Sequence, residues 1–401
     1  MTTTVKTGGE LQSSHQVLLE SHCGIEPLLR RFLLKLCVSI TIGIILLGTG
    51  ELLAFLYLRF DPFGQSPAAA ADADLRRQGL SNKYIEELQA SGSLQYFSYI
   101  VWRRGLYHGD LIGIDKQGLR RTFHSYCDGN AFTIWIFGDS TLWGTGSTDW
   151  ETIPSRLAEK YENAGQKVCI RNFGEHGWVS TQEVIELMLE LKRATRTPDL
   201  VIFYDGTDDA FLAYQAGSHD VHQNFEDFRD RFERSRTEKK PGFTYLRLTN
   251  TYRLLQQFAM QLEPPRPRHP LSAAEVSSLA GWAVENYEKN MDIVDSLAAQ
   301  YGFRDLFFWH PTSWAGHKPL TAAERNEQLL WDKDPNVSRV FHKTYELCGA
   351  LKRKNLFYLG DILDGHQERI YFDNTHLNPE GNRLVAQYLF QVLQSQKEMK
   401  Q

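Results

Sequence analysis

A serine, a histidine and an aspartate stand in this chain where nucleophilic chemistry would need them. Ser140 closes the triplet Gly138-Asp139-Ser140, within the stretch Ala131 to Gly146, and His376 closes Asp373-Asn374-Thr375-His376 near the other end. A serine hydroxyl attacks a carbonyl carbon only when a base takes its proton, a carboxylate holds that base in the right tautomer, and donors meet the developing oxyanion. Ser140 is the candidate nucleophile, His376 the base and Asp373 the carboxylate. The backbone N–H groups of Ser140 and Gly177 are candidate oxyanion donors. Each residue taken singly has a structural explanation, such as a helix cap or a surface histidine. A serine, a glycine loop and an Asp-x-x-His, each at a strand end or helix start, rarely coincide without function.

Those positions presuppose a parallel sheet. Phe132 to Phe137 is an apolar, aromatic and β-branched run ending at a glycine, the pattern of a strand buried on both faces. Lys167 to Phe173, Asp199 to Tyr204, Asp305 to Trp309 and Leu356 to Leu359 repeat it, with helical periodicity between them. In an open α/β sheet the ligand crevice lies beyond the carboxyl ends of the strands, where Ser140, the Gly177 loop and Gly206-Thr207-Asp208-Asp209 all fall. Ser180 with Glu183 reads as a capping box. Asn378 reads as an N-cap with Pro379 at the first helical position, which sets His376 on a loop just ahead of the last helix.

The four blocks Gly138-Asp139-Ser140, the Gly177 loop, Gly206 to Asp209 and Asp373 to His376 resemble those of the SGNH (GDSL-type) hydrolases over about residues 131 to 395. The resemblance implies a flavodoxin-like three-layer α/β fold, hydrolysis or transfer of ester-linked acyl groups, and no metal or organic cofactor. It also implies that membrane-anchored bacterial relatives act on envelope polysaccharides. One block departs from the family: its third block carries an asparagine whose amide donates to the oxyanion, and here that place holds Asp208. An ionised carboxylate has no donor, so Asp208 serves the oxyanion only if protonated.

The rest of the chain sets the context. Leu36 to Leu58 is apolar except for Glu51 and long enough to cross a bilayer, and Arg30, Arg31 and Lys35 precede it, so residues 1–35 are expected in the cytoplasm and the body outside the cytoplasmic membrane. Residues 59–130 read as a linker followed by a hairpin running from Tyr96 to Arg121, its arginines solvated at a strand edge. Residues 131–401 read as the hydrolase domain, interrupted by a helical insertion at about 211–281. Of five cysteines, Cys127, Cys169 and Cys348 lie in the exported part; at most one disulfide can form there, and Cys169 reads as a small core residue. A net charge of −5 with scattered basic residues gives no footprint for nucleic acid. The expected partners are therefore an acylated small molecule or polysaccharide, and the lipid bilayer. Two rivals remain: a non-catalytic relative that binds glycan or an envelope partner, and a metal-dependent phosphoesterase using Asp139, Asp205, Asp208 and Asp209 with His219 or His222.

Overall fold

The computed structural model describes residues 25–60, 73–129, 131–217, 221–237, 249–255, 269–331 and 334–398, and they group into two units: 1–70 with 237–266, and 71–236 with 267–401. In the first unit, helix α1 (Ile25–Phe60) contains an apolar segment, Leu29–Leu58, with mean hydropathy 2.2. Its length and composition suit a single membrane span or a signal sequence. Glu51, the one acid in that stretch, is paired within the chain. Its carboxylate accepts the backbone N–H groups of Asn250 and Thr251, the Asn250 amide at 2.8 Å and the Thr251 hydroxyl at 2.9 Å.

In the second unit a short helical stretch at 73–77 precedes helix α2 (Asn82–Ala90), which is capped by Ser81. Two short antiparallel hairpins follow: β1 (Leu94–Phe97) with β2 (Val101–Arg104), and β3 (Tyr107–His108) with β4 (Gly113–Ile114). The single hairpin expected from Tyr96 to Arg121 is thus two, because the chain turns back within residues 98–100. The expected turn at Asp115 to Gly118 is present, and it brings Arg120 beside Ile114 and Asn172. Of the hairpin arginines only Arg121 is solvated. Arg103, Arg104 and Arg120 are buried, the first against Glu186 at 2.9 Å and the last against Asp149 at 3.0 Å, and burial at this cost requires such partners.

The core is β5 (Phe132–Gly138), α3 (Ser140–Trp143), α4 (Ile153–Asn163), β6 (Val168–Asn172), α5 (Ser180–Arg193), β7 (Leu200–Asp205) and α6 (Thr207–Ala216). After α7 (Phe225–Thr237) come α8 (Ala273–Tyr301), β8 (Arg304–Trp309), α9 (Ala322–Trp331), α10 (Pro335–Ala350), β9 (Leu356–Tyr358) and α11 (Pro379–Glu398). The strands form one parallel sheet ordered β6-β5-β7-β8-β9. This is the flavodoxin-like order, with its switch point at β5. Strand alternation makes the three layers. Ile134 and Ile136 pack on α4 and α11 through Leu157, Tyr161, Val385 and Leu389, while Trp135 and Phe137 face α5, α8 and α10 through Leu187, Met291 and Phe341.

Three details differ from the sequence reading. Ser180 and Glu183 form no capping box: Val179 is the N-cap, Ser180 donates its hydroxyl to Asp209 at 2.6 Å, and Glu183 is buried against Asp205. The insertion starts later than 211, since α6 runs to Ala216 and its Phe211 packs on the core, and it ends earlier, where α8 begins at Ala273. Cys169 is not a free core thiol; it is disulfide-bonded to Cys127, and Cys348 is the buried free cysteine.

Candidate active site

At the end of β5 the chain turns into α3, whose N-cap is Asp139. One carboxylate oxygen of Asp139 accepts the Thr141 N–H at 2.7 Å and the other lies 3.0 Å from His310 Nε2, so Ser140 starts a helix whose first turn is held from below. Ser140 Oγ lies 2.8 Å from His376 Nε2, and His376 Nδ1 lies 2.7 Å from Asp373 Oδ2. The other oxygen of Asp373 accepts the backbone N–H groups of Thr375 and His376, a tight loop that fixes carboxylate and ring together. With Nδ1–H donating to Asp373, Nε2 presents its lone pair to the serine hydroxyl. The three residues form one hydrogen-bonded chain across 236 residues of sequence.

Electrostatics follow from this burial. Desolvation alone would depress the His376 imidazole, but the Asp373 carboxylate outweighs it and holds the pKa above the ordinary 6.5. Asp373 is held below its ordinary range because His376 and two backbone N–H groups outweigh the desolvation that would raise it.

A cavity of about 230 Å³ opens on Ser140 and His376, and Gly177, Asp208, Phe211, Trp314 and Phe341 contribute to its walls. Gly177 has φ +69°, a left-handed conformation that a side chain disfavours, and among the described residues its N–H makes no protein hydrogen bond. Asp208 sits beside it in an unusual state. Its Oδ1 accepts from Gln223 Nε2 at 2.9 Å, while its Oδ2 is buried with no hydrogen-bond partner among the described residues. Burial, with Asp139 adding to it, pushes the Asp208 carboxyl well above the ordinary carboxylate range.

Of the acids proposed as metal ligands, Asp139, Asp205 and Asp209 are engaged with other groups, while Asp208 lines the cavity. Asp209 holds Ser180, Asp205 accepts from Tyr287 at 3.0 Å and is buried beside Glu183, and Asp139 caps α3. His222 packs edge-on to Trp102, and His219 lies outside the described residues. Among the described residues, the side chains grouped closely enough to hold an ion are the surface trio His317, Asp361 and Asp364. A larger groove, about 530 Å³, runs along β6 past Arg121, Arg171 and Cys127, and its lining contains no nucleophile paired with a base.

Sequence reasoning missed four residues of this site. His310 follows β8, where a strand end could have flagged it. Glu175 precedes Gly177 by two residues. Trp102 and Gln223 come from the hairpin region and the insertion, and no motif marks them.

The family model described as GDSL-like lipase/acylhydrolase matches residues 134–389. Solved structures similar to the chain include a putative arylesterase from Agrobacterium tumefaciens (15% identity, 66% of this chain and 98% of that one, TM-score 0.35). Others are a lipase/acylhydrolase from Enterococcus faecalis (13% identity, 66% and 96%, TM-score 0.33) and the esterase EstA from Pseudoalteromonas sp. (12% identity, 67% and 99%, TM-score 0.33). Identities and TM-scores this low carry no weight for this chain, and the family match stands without them. No curated protein matches the chain.

Proposed function

We propose, for a chain that belongs to the GDSL-like lipase/acylhydrolase family and is a hydrolase acting on ester bonds, that Ser140 is its nucleophile, His376 its general base and Asp373 the group that orients the base. The observation that carries this reading is the Ser140–His376–Asp373 hydrogen-bonded chain opening on a mainly apolar cavity. Ser140 Oγ attacks the ester carbonyl while its proton passes to His376 Nε2. The oxyanion is met by the N–H groups of Ser140 and Gly177 and by the protonated carboxyl of Asp208, whose Oδ2 has no other partner among the described residues. Collapse expels the alcohol, which takes the proton from His376 and leaves an acyl-serine. A water or a sugar hydroxyl then gives its proton to His376 as it takes the acyl group, and His376 passes that proton to the departing Ser140 Oγ.

The finer reading is an extracytoplasmic enzyme, anchored through residues 36–58, that removes or transfers short acyl groups on envelope polysaccharide. The basic residues Arg30, Arg31 and Lys35 at the N-terminal end of the apolar helix support that orientation, and the Cys127–Cys169 disulfide supports it independently, because such bonds persist outside the reducing cytoplasm. A cavity walled by Phe211, Trp314 and Phe341 suits a small uncharged acyl group. The test is labelling with a fluorophosphonate and turnover of p-nitrophenyl acetate, with Ser140→Ala as control. Labelling and hydrolysis that vanish together in the variant are the expected result, and turnover near the wild-type rate in Ser140→Ala refutes the mechanism.

A further inference from the structure

Resting on that reading of the oxyanion site, we infer that Trp102, on strand β2 outside the α/β core, is a positioning residue for the Gly177 N–H. The indole Nε1 of Trp102 donates to the carbonyl of His176 at 2.8 Å. That carbonyl and the Gly177 N–H belong to the same peptide group. The peptide is trans and planar, so its C=O and N–H point in opposite directions. Anchoring the oxygen on Trp102 therefore fixes the N–H on the other side, and withdrawal of charge from the oxygen strengthens the N–H as a donor.

The anchor is itself immobilised. Trp102 is 7% exposed, and its own carbonyl accepts the Trp178 indole N–H at 3.0 Å. Two residues on, Arg104 gives its backbone N–H to Glu175 Oε2 at 2.8 Å, while Glu175 Oε1 accepts the His176 N–H at 2.8 Å, so one buried carboxylate ties β2 to the glycine loop. Phe228 of α7 stacks on the indole with 5.8 Å between ring centroids. Gln223, just ahead of α7, approaches Gly177 so closely that a Cβ there would stand 3.3 Å from its Oε1, and its Nε2 holds Asp208. Strand β2 and the insertion thus converge on the glycine loop that carries the Gly177 N–H.

The test replaces Trp102 by phenylalanine and, to keep shape and folding, by benzothienylalanine, which lacks only the N–H. Both should lower kcat for p-nitrophenyl acetate about tenfold, with KM within about twofold and the rate of fluorophosphonate labelling falling in parallel, as expected when an interaction made in the transition state is weakened. Gln182→Met is the comparison, since Gln182 Nε2 anchors the same hairpin through the Ile100 carbonyl at 2.8 Å without touching the 176–177 peptide. It should cost similar thermal stability and leave kcat within about twofold. Unchanged kcat in the benzothienylalanine protein, or equal losses in the Gln182 variant, overturns the inference. Retained labelling in Ser140→Ala would instead refute the serine mechanism beneath it.

Discussion

Replacing Asp208 by asparagine interrogates the least orthodox part of the site. The Asp208 Oδ2 atom is buried in the cavity wall with no partner among the described residues, and Gln223 secures the other oxygen. If the carboxyl is protonated, as its environment favours, its O–H supplies an oxyanion donor worth roughly 10²- to 10³-fold in turnover. If it were ionised, its charge at about 4 Å from the oxyanion would oppose the transition state by about 4 kcal/mol at an effective dielectric of about 20, roughly a thousandfold. Asparagine offers an N–H of nearly the same shape that does not titrate. Asp208→Asn should therefore hydrolyse p-nitrophenyl acetate within about threefold of wild type near neutral pH. The wild-type rate should fall as pH rises through the raised Asp208 pKa, and the variant should lose that alkaline limb. Asp208→Ala, which removes the donor altogether, should cost about 10²-fold or more. A rise of a hundredfold in Asp208→Asn at neutral pH would refute the protonated carboxyl and show a repelling charge in its place.

Ser140→Ala and His376→Ala should each lower turnover by roughly 10³-fold or more while leaving the fold intact by circular dichroism, and Asp373→Asn should lower it by mis-setting the tautomer of His376. Because the base must be neutral and Asp373 raises its pKa, the acid limb of kcat/KM should lie above pH 6.5, and a limb at or below that value would contradict the geometry. Cys127→Ser opens a loop closed over 42 residues and should cost about 4 kcal/mol in urea unfolding by the chain-entropy relation. Gly177→Ala should lower kcat and stability together, since the left-handed conformation costs alanine about 1–2 kcal/mol and its Cβ would press on Gln223.

The central architecture was legible because periodicity is local. Strands buried on both faces, such as Phe132 to Phe137, need continuous apolar runs, and the glycine or cap that ends each element sits beside it in sequence, as Asn378 and Pro379 do before α11. The hydrogen-bonding fragment Asp373 to His376 is local as well, so its meaning is legible from the sequence. What the sequence left open depends on partners far along the chain. Arg103, Arg104 and Arg120 read as solvated because nothing near them says that Glu186, Glu175 and Asp149 will meet them in the interior. Cys127 and Cys169 find each other only once the segment before β5 runs alongside β6. The state of Asp208 was undecidable in the same way: a carboxylate's charge is set by the water it has lost and the acids around it, and only tertiary packing fixes both.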